Sequence, residues 1–130
     1  RARVIVDLRN SSDTKLTLAE TRLIDFATDT VAAEGVTLEK RSLARFSPVE
    51  FDTMIIDMVE KAAAASDYTY CRLPSGAGHD AQMFAPNCPT GMIFIPSKHG
   101  ISHNINEFSS EQDIAAGMDV LMKVLLELSG

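Results

Sequence analysis

The spacing of apolar residues changes several times along the 130-residue chain. In Arg3 to Arg9, "RVIVDLR", β-branched and apolar residues mostly alternate with polar ones, a pattern that predicts a strand. "NSSD", Asn10 to Asp13, is a turn cluster. "TLAE" then reads as a capping box, with Thr17 as N-cap and Glu20 three residues on. Leu16, Ala19, Leu23, Phe26, Ala27 and Val31 fall at helical spacing, and Gly35 closes the helix in the C′ role. Thr37 to Phe46 is polar and roughly alternating, which predicts an edge or half-exposed strand.

A second start signal, "SPVE", occupies Ser47 to Glu50. Serine caps, proline suits the first helical position, and glutamate sits at N3. Phe51, Met54, Ile55, Met58, Val59 and Ala62 form an apolar stripe that runs to about Ala65. Tyr68 to Leu73 predicts a short strand, ended by Pro74 and Gly76. "HDAQMFA" has the length of a short helix. "GMIFIPS", Gly91 to Ser97, is a continuous apolar run of the kind buried on both faces of a sheet. "KHGISHNINEF" reads as a loop. Ser109 or Ser110 then caps a last helix with Ile114, Met118, Leu121, Met122 and Leu125 on one face.

These elements place one boundary near Phe46 to Ser47. Residues 1–46 form a small strand–helix–strand α+β unit. Residues 47–130 alternate helices and strands in an α/β layer pattern. The histidine-bearing loops of that second part follow strands, and open α/β sheets bind ligands beyond the carboxyl ends of their strands. The chain opens on Arg1 and runs straight into the first strand pattern, so it is expected to be part of a longer protein.

Composition narrows the function. Hydrophobic residues make up 45%, enough for a packed core. A net charge of −6 argues against nucleic acid and against an anionic membrane surface as partners. No apolar run approaches the roughly 20 residues needed to span a bilayer. Two cysteines, Cys71 and Cys88, are too few for a disulfide scaffold, so a reducing cytoplasm is expected.

The residues that can carry chemistry are few. His103 follows the apolar run and sits on a loop that a rigid sheet would hold, a good mount for a metal ligand; the plainer reading is a surface histidine. His99 lies four residues before it, but Gly100 between them and Pro96 ahead make a shared helical face a poor fit. His79 follows Gly76 and Gly78, whose backbone can approach a ligand closely, and its imidazole can donate to a carboxylate or oxyanion. The alternative is a glycine turn capped by His79 and Asp80. Arg9 ends the first strand with Asp7 on the same face. A guanidinium there can grip a carboxylate through two parallel hydrogen bonds, or make a surface ion pair with Asp7 or Asp13. Glu107 and Asp80 are acidic candidates without a partner at a telling spacing. The chain has no nucleophile elbow, cysteine–histidine signature, Rossmann fingerprint or zinc-finger spacing.

From Arg72 to Leu128, "SGAGHDAQ", "GMIFIPS" and "GISHN" together closely resemble the carboxy-terminal end of the N-carbamoyl-L-amino acid hydrolases and allantoate amidohydrolases. These are related to yeast-type β-ureidopropionase and plant ureidoglycolate amidohydrolase, within the dinuclear metallopeptidase superfamily of aminoacylase and carboxypeptidase G. "VIVDLR" is similar to the family's strand that ends on a substrate-binding arginine. The resemblance implies the carboxy-terminal part of a mixed-sheet α/β catalytic domain, over 47–130. Before it, over 1–46, would come the end of a smaller α+β lid and dimerisation domain. His103 would be the last metal-ligand histidine, Gly78 and His79 would bind substrate, and Arg9 would hold the substrate carboxylate.

The same resemblance implies two divalent metal ions, zinc or manganese, and a homodimer formed through the lid domain. The implied activity is hydrolysis of a small N-carbamoyl or ureido carboxylate, releasing ammonia and carbon dioxide. The family's other metal ligands and its general-base glutamate would precede Arg1, so no catalytic residue is expected among these 130 and the isolated chain is expected to be inactive. The rival expectation is a non-catalytic binding or assembly module derived from this family.

Overall fold

The computed structural model describes all residues 1–130. Its regular structure is helical: α1 spans Asp13–Ala33, α2 Thr53–Ala64, α3 Ala81–Phe84 and α4 Glu111–Ser129, with a 3-10 turn at Lys98–Gly100 between α3 and α4. The chain divides into two compact units. One comprises Arg1–Val49 with Pro74–Gly78, the other Glu50–Leu73 with His79–Gly130. No helix is long and apolar enough to cross a membrane.

In the first unit, α1 begins four residues before the expected capping box. Ser12 is the N-cap, and its side chain accepts from the Lys15 amide. Thr17 and Glu20 therefore lie inside the helix, where both engage Arg45 instead: Nε forms an ion pair with Glu20 Oε1 at 2.7 Å and Nη2 reaches Thr17 Oγ1 at 3.3 Å. Arg45 Nη2 also pairs with Asp13 Oδ1 at 2.8 Å. A capping-box spelling is local and cannot exclude an earlier cap. The other end of α1 is as expected. Gly35 takes φ +62°, its N–H bonds the Ala32 carbonyl, and the Val36 N–H bonds the Val31 carbonyl. This pair of bonds is a Schellman closure, and the positive φ favours glycine at that place.

The second unit is built on the packing of α2 against α4. Asp52 caps α2, its carboxylate accepting from the Met54 and Ile55 amides at 2.9 and 3.2 Å, so the helix starts after the "SPVE" signal and not on it. The Asp52 amide is itself tied to the Thr90 carbonyl at 2.9 Å, a long-range bond that no local pattern reveals. Ser110 caps α4, accepting from the Asp113 amide at 3.1 Å. Met58, Ala62 and Ala63 of α2 meet Val120 and Val124 of α4, with Ile55, Val59 and Ile93 packed around them. Two glycines mark where the apolar run 91–97 presses on these helices. A Cβ at Gly91 would lie 2.5 Å from Ile55 Cγ2, and one at Gly117 would lie 2.6 Å from Ile95 Cγ2.

Two expectations fail. None of the four predicted strands, Arg3–Arg9, Thr37–Phe46, Tyr68–Leu73 or Gly91–Ser97, forms a β-ladder. A strand is completed by hydrogen bonds to a neighbour, and side-chain alternation does not supply one. Val4 and Ile5 are accordingly 81% and 75% exposed, and Phe94 in the run expected to be buried on both faces is 48% exposed. The second failure is on α4, whose Met and Leu stripe is expected from the sequence to be core. The expected apolar face, Ile114, Met118, Leu121, Met122 and Leu125, is exposed throughout, while Val120 and Val124 are the buried positions. Gly117, Val120 and Val124 follow one another at helical spacing on an adjoining stripe. Periodicity shows that α4 carries apolar stripes, but which one is covered depends on α2.

Candidate functional site

Arg9 lies outside any helix, in the first unit, with 60% of its side chain exposed. Its guanidinium is nonetheless held from two sides. Nε lies 3.1 Å from both Asp7 carboxylate oxygens, Nη2 lies 2.7 Å from Oδ2, and Nη1 donates to the Gly76 carbonyl at 2.8 Å. The hydrogen bond from Arg9 holds the Asp7 carboxyl below the usual carboxylate range, and the same bond raises Arg9 further above its ordinary value. The expected ion pair with Asp7 is thus present, whereas Asp13 is engaged by Arg45. The bond to Gly76 had no sequence signal: the acceptor is a backbone atom 67 positions away.

Gly78 and His79 sit where the chain passes from one unit to the other. Ser75 Oγ accepts from the Ala77 amide at 3.2 Å, which tightens the glycine loop in the first unit. His79 belongs to the second. Its amide donates to Gln82 Oε1 at 3.2 Å, its carbonyl accepts from the Gln82 amide at 3.0 Å, and it leads directly into α3. The imidazole is half-buried against Phe94, with ring centroids 5.6 Å apart and planes tilted by 60°. Phe94 comes from the apolar run, so that run fixes the face of the histidine ring even without a ladder. Asp80 is the N-cap residue of α3 but makes no side-chain cap bond.

His103 stands exposed on a loop stitched at its base. The Lys98 amide bonds the Phe108 carbonyl at 2.7 Å and Ser109 Oγ bonds the Pro96 carbonyl at 2.8 Å, while Ser97 Oγ reaches the Ile101 carbonyl. His103 has φ +53°, and its amide donates to Glu107 Oε2 at 2.8 Å. Glu107 in turn bonds the Asn104 carbonyl through its own amide. Glu107 therefore has a partner four residues back that the sequence did not point to, because the donor is a main-chain N–H. His99 lies in the separate 3-10 turn, at φ +59°, and does not share a helical face with His103. Lys98, His99, Ile101, Asn106 and Phe108 line a shallow depression beside this loop.

A divalent metal site needs several His, Cys, Asp or Glu donors converging on one point. No group of three or more such residues does so in this chain. His103 is a single donor, and these 130 residues do not by themselves assemble a dinuclear centre.

Residues 6–127 match the family described as Peptidase family M20/M25/M40. The chain is 38% identical over 122 residues to an N-carbamoyl-L-amino-acid amidohydrolase of Rhizobium meliloti, covering 94% of this chain and 29% of that protein. It is 42% identical over 82 residues to an allantoate amidohydrolase of Escherichia coli, covering 63% of this chain and 20% of that one. Among solved structures, the chain is similar to an amidase of the hydantoinase/carbamoylase family from Burkholderia multivorans. There the TM-score is 0.85 at 33% identity, over 91% of this chain and 29% of the other. The chain thus spans less than a third of the length of these relatives. The structural likeness is consistent with the α/β class expected from the sequence, although the chain forms no ladder of its own.

Proposed function

The chain belongs to peptidase family M20/M25/M40, and from that membership we infer that it is the carboxy-terminal portion of an amidohydrolase acting on N-carbamoyl or ureido carboxylates. The observation that carries this reading is the pair of activities named for its relatives. N-carbamoyl-L-amino acids and allantoate have two groups in common, a ureido C–N bond and a carboxylate. Hydrolysis of the first consumes one water and yields an amine, ammonia and carbon dioxide. The second calls for a cationic anchor, and a planar guanidinium held in place by Asp7 and the Gly76 carbonyl supports giving Arg9 that role.

In this reading Arg9 holds the substrate carboxylate, and Gly78 with His79 orients the substrate near its scissile end. His103 contributes one ligand to a pair of divalent ions, zinc or manganese, whose remaining ligands and general base come from elsewhere in the full-length enzyme. When bound, those ions would supply an activated water and a polarised carbonyl. Residues 1–46 would complete a lid and dimerisation domain, and 47–130 the catalytic domain. The parent enzyme would be a cytoplasmic homodimer, and the 130-residue chain alone would not turn over substrate.

Ammonia release by the full-length parent, with added zinc or manganese, tests this against N-carbamoyl-L-amino acids, allantoate, ureidoglycolate and β-ureidopropionate. At least one should be hydrolysed. Arg9→Ala should raise KM by about tenfold or more, as expected for losing a charged hydrogen-bonding partner. His103→Ala should lower bound metal by elemental analysis. A parent that releases ammonia from none of the four refutes the substrate class. An unchanged KM in Arg9→Ala refutes the anchor.

A further inference from the structure

A guanidinium carries five N–H donors in one rigid plane. In Arg9 the Nε–H and one N–H of Nη2 are committed to Asp7, and one N–H of Nη1 is committed to the Gly76 carbonyl. One donor on each Nη nitrogen remains. The two Nη nitrogens form one edge of the planar fork on which a carboxylate can accept two hydrogen bonds. An arginine on a surface ordinarily samples many rotamers, and a ligand that binds it must freeze them out. At Arg9 two acceptors already fix the plane, one two residues away and one on a glycine loop 67 residues away.

We propose that Asp7 is a positioning residue for Arg9: together with the Gly76 carbonyl it presets the guanidinium plane, so that one N–H on each Nη nitrogen is presented to a carboxylate ligand. The proposal rests on the reading of Arg9 as the carboxylate anchor and extends it. Asp7 makes two opposed contributions. Its geometry orders the fork, while its negative charge opposes an incoming carboxylate. The two are separable by substitution. Asp7→Asn and Asp7→Ala both remove the charge, but only asparagine keeps an oxygen that can accept from Nε. Asp7 lies outside any helix with 63% of its side chain exposed, so neither substitution disturbs a packed element.

The experiment titrates the full-length parent, stripped of metal so that no ligand is turned over, with acetate and with N-carbamoylglycine at constant ionic strength, reading affinity by calorimetry and the Arg9 Nε–Hε resonance by NMR. Positioning predicts that Asp7→Asn binds about two- to fivefold more tightly than Asp7→Ala, the range spanned by exposed contacts that depend on geometry. It also predicts that in the wild-type protein the Nε–Hε resonance keeps its Asp7-bonded position at saturation, because the ligand takes the free donors and leaves Asp7 in place. Equal affinities for the two variants overturn the proposal. So does a shift of the wild-type resonance to its Asp7→Ala position at saturation, which would mean that the ligand displaces Asp7. A wild-type protein that shows no saturable binding by calorimetry, or one that binds no better than Arg9→Lys, overturns the anchor reading itself and the positioning role with it.

Discussion

Leu16 is the one buried residue of the first unit, whereas Met58, Ala62, Ala63, Val120 and Val124 interlock in the second. The first unit depends on polar contacts at defined points: the Ser12 cap, the Schellman closure at Gly35, and Arg45 bridging Asp13 and Glu20 along the exposed side of α1. The second also has an ion-pair cluster, Arg72 between Asp57 and Glu60, but it is added to an apolar seam between two helices. Exposed ion pairs contribute little because water competes for both partners. Buried apolar contact contributes more and is shared across helices. The two units should therefore differ in how they open: α1 locally and with strong salt dependence, α2 and α4 together.

Three substitutions bear on this contrast, and the largest effect is expected at Met58. Met58→Ala removes a buried side chain from the α2–α4 seam, at a cost of about 2–4 kcal/mol. Hydrogen exchange should show α2 and α4 losing protection in step while α1 is unchanged. If α1 loses protection equally, the two units are one cooperative body and the contrast fails. Gly117→Ala comes next. Alanine is the better helix former by up to about 1 kcal/mol, but its Cβ would meet Ile95 Cγ2 at 2.6 Å. The crowding should outweigh the propensity and leave a net loss of about 1 kcal/mol, read from the urea midpoint. A gain in stability would show that the apolar run 91–97 yields easily and is not seated on α4.

Arg45→Met should have the smallest effect. It removes both ion pairs on α1 but leaves the Ser12 cap and the Gly35 closure intact. Exchange near Asp13 to Glu20 should speed up modestly at low salt, and added salt should narrow the difference from the wild type. A loss as large as that of Met58→Ala would show that a polar network can hold a unit as firmly as an apolar seam.

How legible each feature was depended on the range of the interaction behind it. Gly35 and the Ser110 cap were readable because helix ends are closed by atoms within a few residues. The Thr17 capping box misleads for the same reason: its spelling is as local as that of Ser12, and Arg45 approaches from 28 residues away. The candidate site behaves alike. Arg9 with Asp7 was visible as a same-face pair two residues apart. The Gly76 carbonyl and the Glu107–His103 amide bond were not, since backbone donors and acceptors are the same at every non-proline position.

By itself, the sequence determined the helical segments, the C-terminal closure of α1, the capping of α4 and the signature loops around His79 and His103. Each depends on residue types a few positions apart, which remain together whatever the rest of the chain does. Tertiary structure decided the remainder. Four strand patterns stay unpaired because a ladder needs a neighbour. Val120 and Val124 are buried instead of the larger stripe beside them because α2 covers that side. The Arg9 guanidinium meets the glycine loop because folding closes a 67-residue gap. Periodicity states which surfaces want to be covered, and only the packed chain supplies what covers them.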